Sequence, residues 1–474
     1  MFGDWRHRPG PRYQRLAAAL LDAVDRRVLR EGTRVPAERT LATAVGVSRG
    51  TVVACFEQLA AAGVLRRRQG SGTYVAGRPS WAARPAPGSA ATLLLRRMAS
   101  DRQTIDLSFS SPSDLRHLPP VDPDTAWTSL HGHGLDLQGL DQLKTAVASH
   151  LSEHQQLSTE PDQLVITSGA QEALWLLSRA LLPRSGTLVT TCPTYPGLVG
   201  AFATARPAII SAPADMAGIS PTAIERAGRR PGTIAYLMPT GHNPTGTVMT
   251  IVRRQSIAAI ADAGQVTIIE DLTLADLTLD TRPPPPPLAA LSPRVVAIGS
   301  VSKLLWGGLR VGWIRADEPL RTALLTRKAG LNLATAAVSQ ALTSQLLTAI
   351  DTDWLSAYRG ALAQRRDRLI TALATHLPAW RIQPPAAGLS LWAELPLDSA
   401  DAFAHAAARH GVTIAAGATA CVDNHHRHYV RLSFAEPLDT LQLATERLAA
   451  AWEAHTQNLA AAPSRPAGPR RVSR

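Results

Sequence analysis

The sequence is poor in cysteine and in long apolar runs. Its three cysteines, Cys55, Cys192 and Cys421, are widely separated and form no Cys-x-x-Cys pair, so they indicate neither a disulfide framework nor a zinc module. No uninterrupted apolar stretch approaches about 20 residues, and residues 1–15 are polar and arginine-rich without an apolar signal core. We therefore expect no signal peptide, no membrane span and a reducing cytoplasmic location.

The charge is spread unevenly along the chain. Of the 474 residues, 45% are hydrophobic and 18% are charged, which is enough apolar material for several domains, and the net charge is +12. Residues 1–76 hold 13 arginines against six acidic residues, and residues 463–474 add four arginines and no acid. Because the body between them is nearly neutral, the basic head is predicted to bind a polyanion, with nucleic acid as the first partner to test.

The first 76 residues follow the order helix, helix, helix, hairpin. Apolar spacing predicts a first helix over residues 13–30, a second helix closed by Gly46 and a third helix capped by Ser48. Two β-prone runs flank a glycine-rich tip at residues 70–72. This order is typical of a winged helix-turn-helix DNA-binding domain.

After a proline-rich linker at residues 77–103, apolar strands alternate with amphipathic helices from residue 104 to about 455. The clearest strand candidates are residues 164–167, 188–190, 234–237, 266–269 and 295–298. The alternation is typical of an α/β fold with a parallel sheet, in which ligands bind at the carboxyl ends of the strands. Residues 456–474 are predicted to form a flexible basic tail.

Lysine is nearly absent. Only Lys144, Lys303 and Lys328 occur among 49 lysines and arginines. A chain that uses arginine almost everywhere keeps lysine by chance or where arginine cannot serve, as in Schiff-base formation, which needs an amine that loses its proton. Lys303 stands in a loop of small residues after an apolar strand, although composition alone leaves a surface lysine equally open.

Three neighbours favour a chemical role for Lys303. Asp271 and Asn243 each follow a predicted strand, and residues 168–171 open a helix directly after another. A carboxylate for a pyridinium nitrogen, an amide for a phenolic oxygen, helix N–H groups for a phosphate and a lysine for an aldehyde describe pyridoxal 5'-phosphate. Each signal is weak alone, and together they predict a site for this cofactor.

These motifs carry a resemblance to a known family. The matching segments are Val35–Arg39, Gly70–Thr73, Thr167–Leu174, Pro193–Gly197, Asn243–Gly246, Glu270–Asp271, Ser302–Lys303 and Gly308–Gly312. On these motifs the body resembles the fold-type I aminotransferases. The whole chain, apart from the linker and the tail, looks like a MocR-type member of the GntR family of bacterial transcription regulators.

The resemblance implies a role for each site residue. Lys303 would bind the cofactor's aldehyde covalently, and Asp271 would pair with its pyridinium nitrogen. Asn243 would bond the ring hydroxyl, Tyr195 would stack on the ring, and Arg431 would bind a substrate carboxylate. The phosphate would be held by Ser300, Ser302, Arg310 and the backbone at Gly169, Ala170 and Gln171.

Some of these residues have structural alternatives. Tyr195 could be an ordinary core aromatic, and Arg431 could pair with Glu436. The three histidines within residues 425–428 are dense enough for a metal site, but Asp423 is the sole carboxylate at ligand spacing. We therefore expect a solvated loop there and no metal.

The chain departs from the family pattern at three places. The family's tyrosine shortly after the aspartate is replaced by Thr273 or Leu274, so cofactor binding is predicted to survive better than fast transamination. Ala37 stands where the family has a cap serine, which costs about 1 kcal/mol of helix stability. Val53 replaces a basic residue of the third helix, which predicts fewer base contacts.

The predicted function is a DNA-binding transcription regulator that senses an amino compound or pyridoxal phosphate itself. A homodimer on double-stranded DNA is implied by the resemblance. The alternatives are a working aminotransferase with a secondary head, and a regulator that has lost its cofactor. The predicted DNA contacts are Arg39, Ser48, Arg49, Thr51, Arg66, Arg67, Arg68, Gly70, Ser71 and Gly72, although Arg66–Arg68 could also be a solvated charge run.

Overall fold

The computed structural model describes residues 5, 11–25, 28–29, 32–61, 64–68, 72–76, 104–183, 186–280, 282–423 and 425–461. The chain divides into two compact units, Met1–Pro85 and Ala86–Arg474. The predicted linker at residues 77–103 lies outside the described ranges. Within those ranges, none of the helices combines the length and the apolar character that a membrane crossing requires.

The first unit is a winged helix-turn-helix. Its elements are α1 (Arg12–Asp25), α2 (Glu38–Val45), α3 (Arg49–Ala61), β1 (Leu65–Arg68) and β2 (Gly72–Val75). Gly46 ends α2 in the left-handed backbone region, with φ at 66°. The Ser48 hydroxyl accepts a hydrogen bond from the Thr51 amide (3.2 Å) at the start of α3. The predicted end of α2 and the predicted cap of α3 are therefore confirmed.

The predicted end of the first helix is wrong. Helix α1 stops at Asp25, several residues before residue 30, because the amides of Val28 and Leu29 turn back onto the Ala23 carbonyl oxygen (2.9 and 3.0 Å). This closure is a local hydrogen-bond pattern that apolar spacing does not reveal. The apolar faces of α1 and α3 form the core of the head, with Leu16, Leu20, Val52 and Phe56 among the buried side chains.

The second unit is an α/β domain. Its strands are β3 (Ile105–Asp106), β4 (Leu164–Thr167), β5 (Thr187–Thr191), β6 (Ala208–Ala212), β7 (Ala214–Asp215), β8 (Gly218–Ile219), β9 (Thr233–Leu237), β10 (Thr267–Asp271), β11 (Val295–Ser300), β12 (Gly312–Arg315), β13 (Arg381–Ile382), β14 (Ser390–Glu394), β15 (Val412–Thr413), β16 (Ala415–Ala416) and β17 (Tyr429–Ser433). Its helices are α4 (Pro123–Thr128), α5 (Asp141–His154), α6 (Ala170–Leu181), α7 (Gly197–Phe202), α8 (Pro221–Gly228), α9 (Ile251–Asp262), α10 (Leu288–Leu291), α11 (Leu320–Ala329), α12 (Ala337–Thr348), α13 (Thr352–His376), α14 (Asp401–Arg409) and α15 (Leu438–Ala461).

A seven-stranded sheet forms the centre of this unit, in the order β4-β12-β11-β10-β9-β5-β6. The predicted α/β fold is confirmed, and the described parallel pairs are β11·β10, β10·β9, β9·β5 and β5·β6. Strand β12 runs antiparallel to both of its neighbours, β4 and β11. Fully buried apolar side chains fill these strands, as expected for a sheet covered by helices on both faces.

A smaller sheet, in the order β13-β14-β17-β16, carries Arg431 on β17. The last helix, α15, continues to Ala461, so residues 456–461 are helical rather than part of a flexible tail. The same helix is anchored earlier by Trp452, which contacts Trp380 and Phe403 edge-on at ring-centroid distances of 5.6 and 5.1 Å. Residues 462–474 lie outside the described ranges.

Candidate functional site

The polar residues predicted in the body gather at one edge of the central sheet. Strands β4, β9, β10 and β11 all end at this edge, and β12 begins there. Gly312 lies between Ser300 and Thr167 in the strand register, so the chain segments after β4 and β11 are neighbours. This topology brings Gly169 and Lys303 to one place, as expected for an open α/β sheet.

Lys303 lies in a single π-helical turn, Ser302–Trp306, directly after β11. Its Nζ atom is 5.2 Å from the centre of the Phe109 ring. Burial, assisted by the positive charges of Arg431 and Arg310, lowers the pKa of Lys303 to about 7. Because half of such amines are neutral near pH 7, Lys303 is a competent nucleophile toward a carbonyl.

Asp271 ends β10 and is buried. Its Oδ2 atom accepts a hydrogen bond from the Tyr236 hydroxyl (2.6 Å), and Oδ1 accepts one from the Thr273 amide (2.8 Å). Burial raises the pKa of Asp271, while these hydrogen bonds and the Lys303 charge act in the opposite direction. A buried carboxylate held by two donors is suited to a cationic partner.

Tyr236 is a site residue that the sequence analysis missed. It stands in the apolar run of β9, where it looks like any other core residue. The available signal is its strand register, because Tyr236 pairs with Ile269, two residues before Asp271, and side chains two apart on a strand share a face.

A narrow backbone cradle lies at the amino terminus of α6. Gly169 has φ at 123°, and a Cβ atom placed there would lie 3.1 Å from Nη2 of Arg310. A Cβ on Gly312 would lie 2.7 Å from the Gly169 Cα atom. The amides of Ala170 and Gln171 belong to the first turn of α6. Amides in the first turn of a helix have no carbonyl acceptor within the helix. Such a terminus is suited to an anion.

Serine hydroxyls and an arginine complete the cradle. The Ser300 hydroxyl lies within hydrogen-bonding distance of the Ser302 hydroxyl (2.9 Å) and of the Val311 carbonyl oxygen (3.0 Å), and its single proton serves one of them at a time. Arg310 adopts the left-handed region with φ at 51°, which is rare for a residue with a side chain. Such strain is commonly stored where a side chain must reach a ligand.

Arg431 reaches the same edge from the smaller sheet. Its Nη1 donates to the Asn243 side-chain oxygen (3.0 Å), and its Nη2 donates to the Ser108 carbonyl oxygen (2.6 Å). Burial lowers the pKa of Arg431 to about 10, and its Nε has no hydrogen-bond partner in the part of the chain that is described. The alternative pairing with Glu436 is wrong, because Glu436 accepts a hydrogen bond from Ser113 instead (2.6 Å).

Tyr195 and Leu274 are the remaining residues of the body that the sequence analysis singled out. Tyr195 is partly buried against the hydrophobic core, and its hydroxyl donates to Gln171 (3.1 Å). Burial raises the pKa of Tyr195 to about 12, so the hydroxyl stays protonated. Leu274 is buried at the turn after Asp271, and a Cβ on Gly241 would lie 2.8 Å from its Cβ. No phenol from that turn reaches the site.

Two of the three cysteines, which are widely separated in the sequence, lie side by side in the structure. The thiols of Cys192 and Cys421 are neighbours, and His426 and Asp423 lie beside them. The contact arises because the Thr194 amide donates to the Ala420 carbonyl oxygen (2.8 Å), which joins two loops distant in sequence.

The head presents its predicted DNA-contact residues in part. Arg39, Ser48 and Arg49 are exposed and Thr51 is half-buried, and Arg49 Nη2 lies 3.4 Å from a Glu38 carboxylate oxygen. Arg66 is exposed on β1. The structure does not describe four other predicted DNA contacts, namely Gly70, Ser71 and the side chains of Arg67 and Arg68.

Arg34, which the sequence analysis did not single out, lies beside Gly72 in the wing. Gly72 has φ at 113°, and a Cβ there would lie 2.9 Å from Nε of Arg34. The backbone of Arg34 forms an isolated antiparallel β-bridge with Tyr74, and the Arg34 residue is exposed beside the hairpin. It therefore joins the candidate phosphate contacts.

Comparison with known proteins also divides the chain into an amino-terminal head and an aminotransferase-like body. Residues 130–448 match the class I and II aminotransferases, and residues 12–75 match the gntR family of bacterial regulatory proteins. The chain is 28% identical over 451 residues to the uncharacterized HTH-type transcriptional regulator YdfD of Bacillus subtilis, covering 90% of this chain and 92% of YdfD. It is 29% identical over 380 residues to the HTH-type pyridoxine biosynthesis transcriptional regulator PdxR of Corynebacterium glutamicum, and the match covers 77% of this chain and 76% of PdxR.

Among solved structures, an archaeal alanine:glyoxylate aminotransferase is similar at 25% identity and a TM-score of 0.69, covering 76% of this chain and 93% of that one. The aminotransferase match extends over more than half of the chain. The chain therefore belongs to the class I and II aminotransferase family and carries an amino-terminal domain that matches the gntR family, an arrangement consistent with a MocR-type regulator.

Proposed function

We propose that this chain is a DNA-binding transcription regulator whose body binds pyridoxal 5'-phosphate and responds to a small amino compound. The observation that carries the proposal is the convergence of Lys303, Asp271 and Arg431 at one sheet edge, in a chain whose head is a winged helix-turn-helix. Relatives that combine both parts and are named transcriptional regulators support this over the aminotransferase alternative.

The residues at the sheet edge fit the cofactor. The cradle at Gly169 is tight, since a Cβ there would lie 3.1 Å from Nη2 of Arg310, and the buried Nε of Arg431 has no hydrogen-bond partner among the described residues. Asp271 would hold the pyridinium nitrogen, and Lys303 would face the aldehyde. The remaining contacts would be Asn243 to the ring hydroxyl, Tyr195 to the ring face, and Ser300, Ser302, Arg310 and the amides of Gly169, Ala170 and Gln171 to the phosphate. When bound, the cofactor supplies an aldehyde that condenses with primary amines.

The effector class follows from two of these residues. Burial lowers the pKa of Lys303 to about 7, so Lys303 would be released largely as a neutral amine if another primary amine took its place on the aldehyde, and it could accept a proton from that amine. Arg431 offers a buried, planar set of N–H donors that matches a carboxylate. A compound that bears both an amine and a carboxylate, such as an amino acid, satisfies both.

Turnover is expected to be weak. In the turn after Asp271, Thr273 or Leu274 stands where the family's tyrosine would be, Leu274 is buried, and the Tyr236 hydroxyl is engaged with the Asp271 carboxylate. The ring oxygen therefore lacks a phenolic donor from that turn, while the phosphate and nitrogen contacts remain. This arrangement favours ligand binding over fast chemistry.

DNA recognition belongs to the head. The exposed Arg49 at the start of α3 would read base edges of double-stranded DNA in the major groove, with Arg39 near it. A homodimer, as the aminotransferase resemblance implies, would place two heads on paired half-sites. Only an effector that binds two forms of the regulator with unequal affinity changes DNA binding.

The deciding experiment is spectroscopic and uses the full chain. Apoprotein mixed with pyridoxal phosphate should gain the visible absorbance of the covalently bound cofactor, and borohydride reduction followed by peptide mapping should find the label on Lys303. An amino acid effector should shift the absorbance and change the affinity for a DNA duplex selected from a random pool. Ketoacid release on the order of 1 per second or faster would instead establish the aminotransferase. A label on Lys144 or Lys328, or no label, would contradict the site.

A further inference from the structure

Four side chains outside the proposed cofactor site converge on one point. Cys192, Cys421, Asp423 and His426 each offer one ligand atom, and these atoms all lie within 4.8 Å of one another. His426 Nδ1 lies 3.6 Å from the Cys192 sulfur and 3.8 Å from the Cys421 sulfur. The Cys421 sulfur lies 3.3 Å from Oδ1 of Asp423. All four residues are half-buried.

The cluster is built from two loops that the fold holds together. Cys192 follows β5, and the other three residues lie in the segment before β17. The Thr194 amide donates to the Ala420 carbonyl oxygen (2.8 Å), which fixes the two loops side by side. The approach of the ligand atoms therefore follows from the sheet topology.

The surroundings of the cluster support ligation. The His426 amide donates to the Cys421 sulfur (3.4 Å), a contact that stabilises a thiolate. The Asp423 carboxylate accepts the His425 amide (3.2 Å) and lies 3.1 Å from the His425 ring nitrogen, so its orientation is fixed from outside the cluster. Cys192 and His426 also line a cavity of about 600 Å³, which offers an ion a path of entry.

We propose that Cys192, Cys421, Asp423 and His426 form a binding site for a thiophilic divalent cation, with zinc as the best match. Two sulfurs, an imidazole nitrogen and a carboxylate oxygen make up a four-ligand zinc set, whereas calcium and magnesium prefer oxygen alone. Sulfurs around a tetrahedral zinc ion lie roughly 3.8 Å apart, since the Zn–S bond is about 2.3 Å. The Sγ–Sγ distance of 2.7 Å must therefore open by roughly 1 Å on binding.

A bound ion would join two loops that also serve the sheet edge. Cys192 lies three residues before Tyr195, and His426 lies five residues before Arg431. The ion would hold these two loops to each other. The site itself stands on the side chains of the cluster and does not depend on whether a cofactor binds.

The test measures metal content in the full chain, expressed with zinc, purified with a reductant and desalted. We expect about one zinc per chain and at least a tenfold lower content in Cys421→Ser and in His426→Ala. His428→Ala is the matched control, because His428 lies in the same loop but contacts Glu394 (3.7 Å), and it should keep the full content.

Cobalt substitution of the unaltered chain gives a second readout that survives a poorly folding variant. Cobalt bound by thiolates absorbs through sulfur-to-metal charge transfer, and this band should appear in the unaltered chain and in His428→Ala. A fully reduced chain that retains neither zinc nor cobalt would overturn the proposal. So would a Cys192–Cys421 disulfide found by nonreducing peptide mapping in protein prepared without oxidant.

Discussion

Arg49 in the head and Arg431 in the body are the same side chain in opposite environments. The Arg49 side chain is 66% exposed, and its contact with Glu38 is 3.4 Å long. Arg431 is 7% exposed and held by Asn243 and Ser108. An exposed guanidinium is suited to a DNA phosphate or to a base edge. When it neutralises a phosphate, the DNA releases a bound counterion, so the affinity depends on salt. A buried one favours a ligand that brings a compensating charge and fills its remaining donor.

Burial separates the two kinds of recognition in this chain. Charges in water are screened by salt, whereas buried charges are screened much less and shift the pKa values of their neighbours. Binding by the head should therefore respond to ionic strength. Binding by the body should respond to pH and to single buried side chains.

The largest effect is expected from Lys303→Ala. This change removes the amine that bonds the cofactor, so borohydride should fix no cofactor to the variant. Lys303→Arg keeps the positive charge and should behave in the same way, because a guanidinium does not lose its proton. Affinity for random DNA, which belongs to the head, should be unchanged in both variants by fluorescence anisotropy. Loss of that affinity would show that the two regions are not separable.

The second prediction concerns the pH dependence of cofactor capture. Burial lowers the pKa of Lys303 to about 7 from the ordinary 10.5, so the neutral amine accumulates as pH rises through about 7 rather than through 10.5. At pH 7 this amounts to roughly a thousandfold more neutral amine than an exposed lysine provides. The rate of appearance of the visible band should fall about tenfold per pH unit below 7 and level off above it. A rate that still rises steeply above pH 9, as for free N-acetyl-lysine in the same buffer, would contradict this.

Arg431→Ala should weaken binding of carboxylate-bearing amines by about 2–5 kcal/mol, since a buried charge pair loses one partner. Simple amines of similar size, which have no carboxylate, should bind as before. The measurement is titration of the spectral shift with each member of matched amine pairs. An equal loss for both members would mean that Arg431 supports the fold around Asn243 rather than the ligand.

Arg49→Ala should cost about 1–3 kcal/mol of affinity for the selected duplex and relax sequence preference, as the loss of one base contact does. Arg66→Ala is the matched control in the same head, because Arg66 is exposed on the wing strand. It should weaken all duplexes similarly and reduce the salt slope by about one. Unchanged binding of both duplex types by the Arg49 variant would place base recognition elsewhere.

Much of the fold and of the body site could be predicted because strand order does most of the placing. Once Asp271, Asn243 and Lys303 are each assigned to the end of a parallel strand, the sheet brings them to one edge without any further information. The winged helix was predictable for a similar reason, since its elements are short-range and marked by Gly46 and Ser48.

The features that were missed depend on contacts between distant or laterally adjacent segments. Cys192 and Cys421 are 229 residues apart, and no spacing rule connects them. Tyr236 reaches Asp271 across the β9–β10 pairing, which a strand pattern does not reveal by itself. The end of α1 depends on amides that turn back onto Ala23, a choice that neither apolar spacing nor glycine position determines.

The smallest effect is expected at a position where the sequence indicated a weakness and the structure shows it. Ala37 is the N-cap of α2, its side chain makes no capping hydrogen bond, and its backbone has φ at −56° and ψ at 149°. Since that backbone is already the one a capping serine adopts, Ala37→Ser should accept a first-turn amide hydrogen without strain and stabilise the head by about 1 kcal/mol. Hydrogen exchange of the α2 amides should slow by roughly fivefold, whereas exchange at β10 and β11 should not change. Ala37→Val is the control, since it adds a side chain of similar size without the hydroxyl and valine caps a helix no better than alanine. If exchange slowed equally in both regions, the head and the body would unfold as one unit, and the independence inferred from Arg49 and Arg431 would not extend to stability.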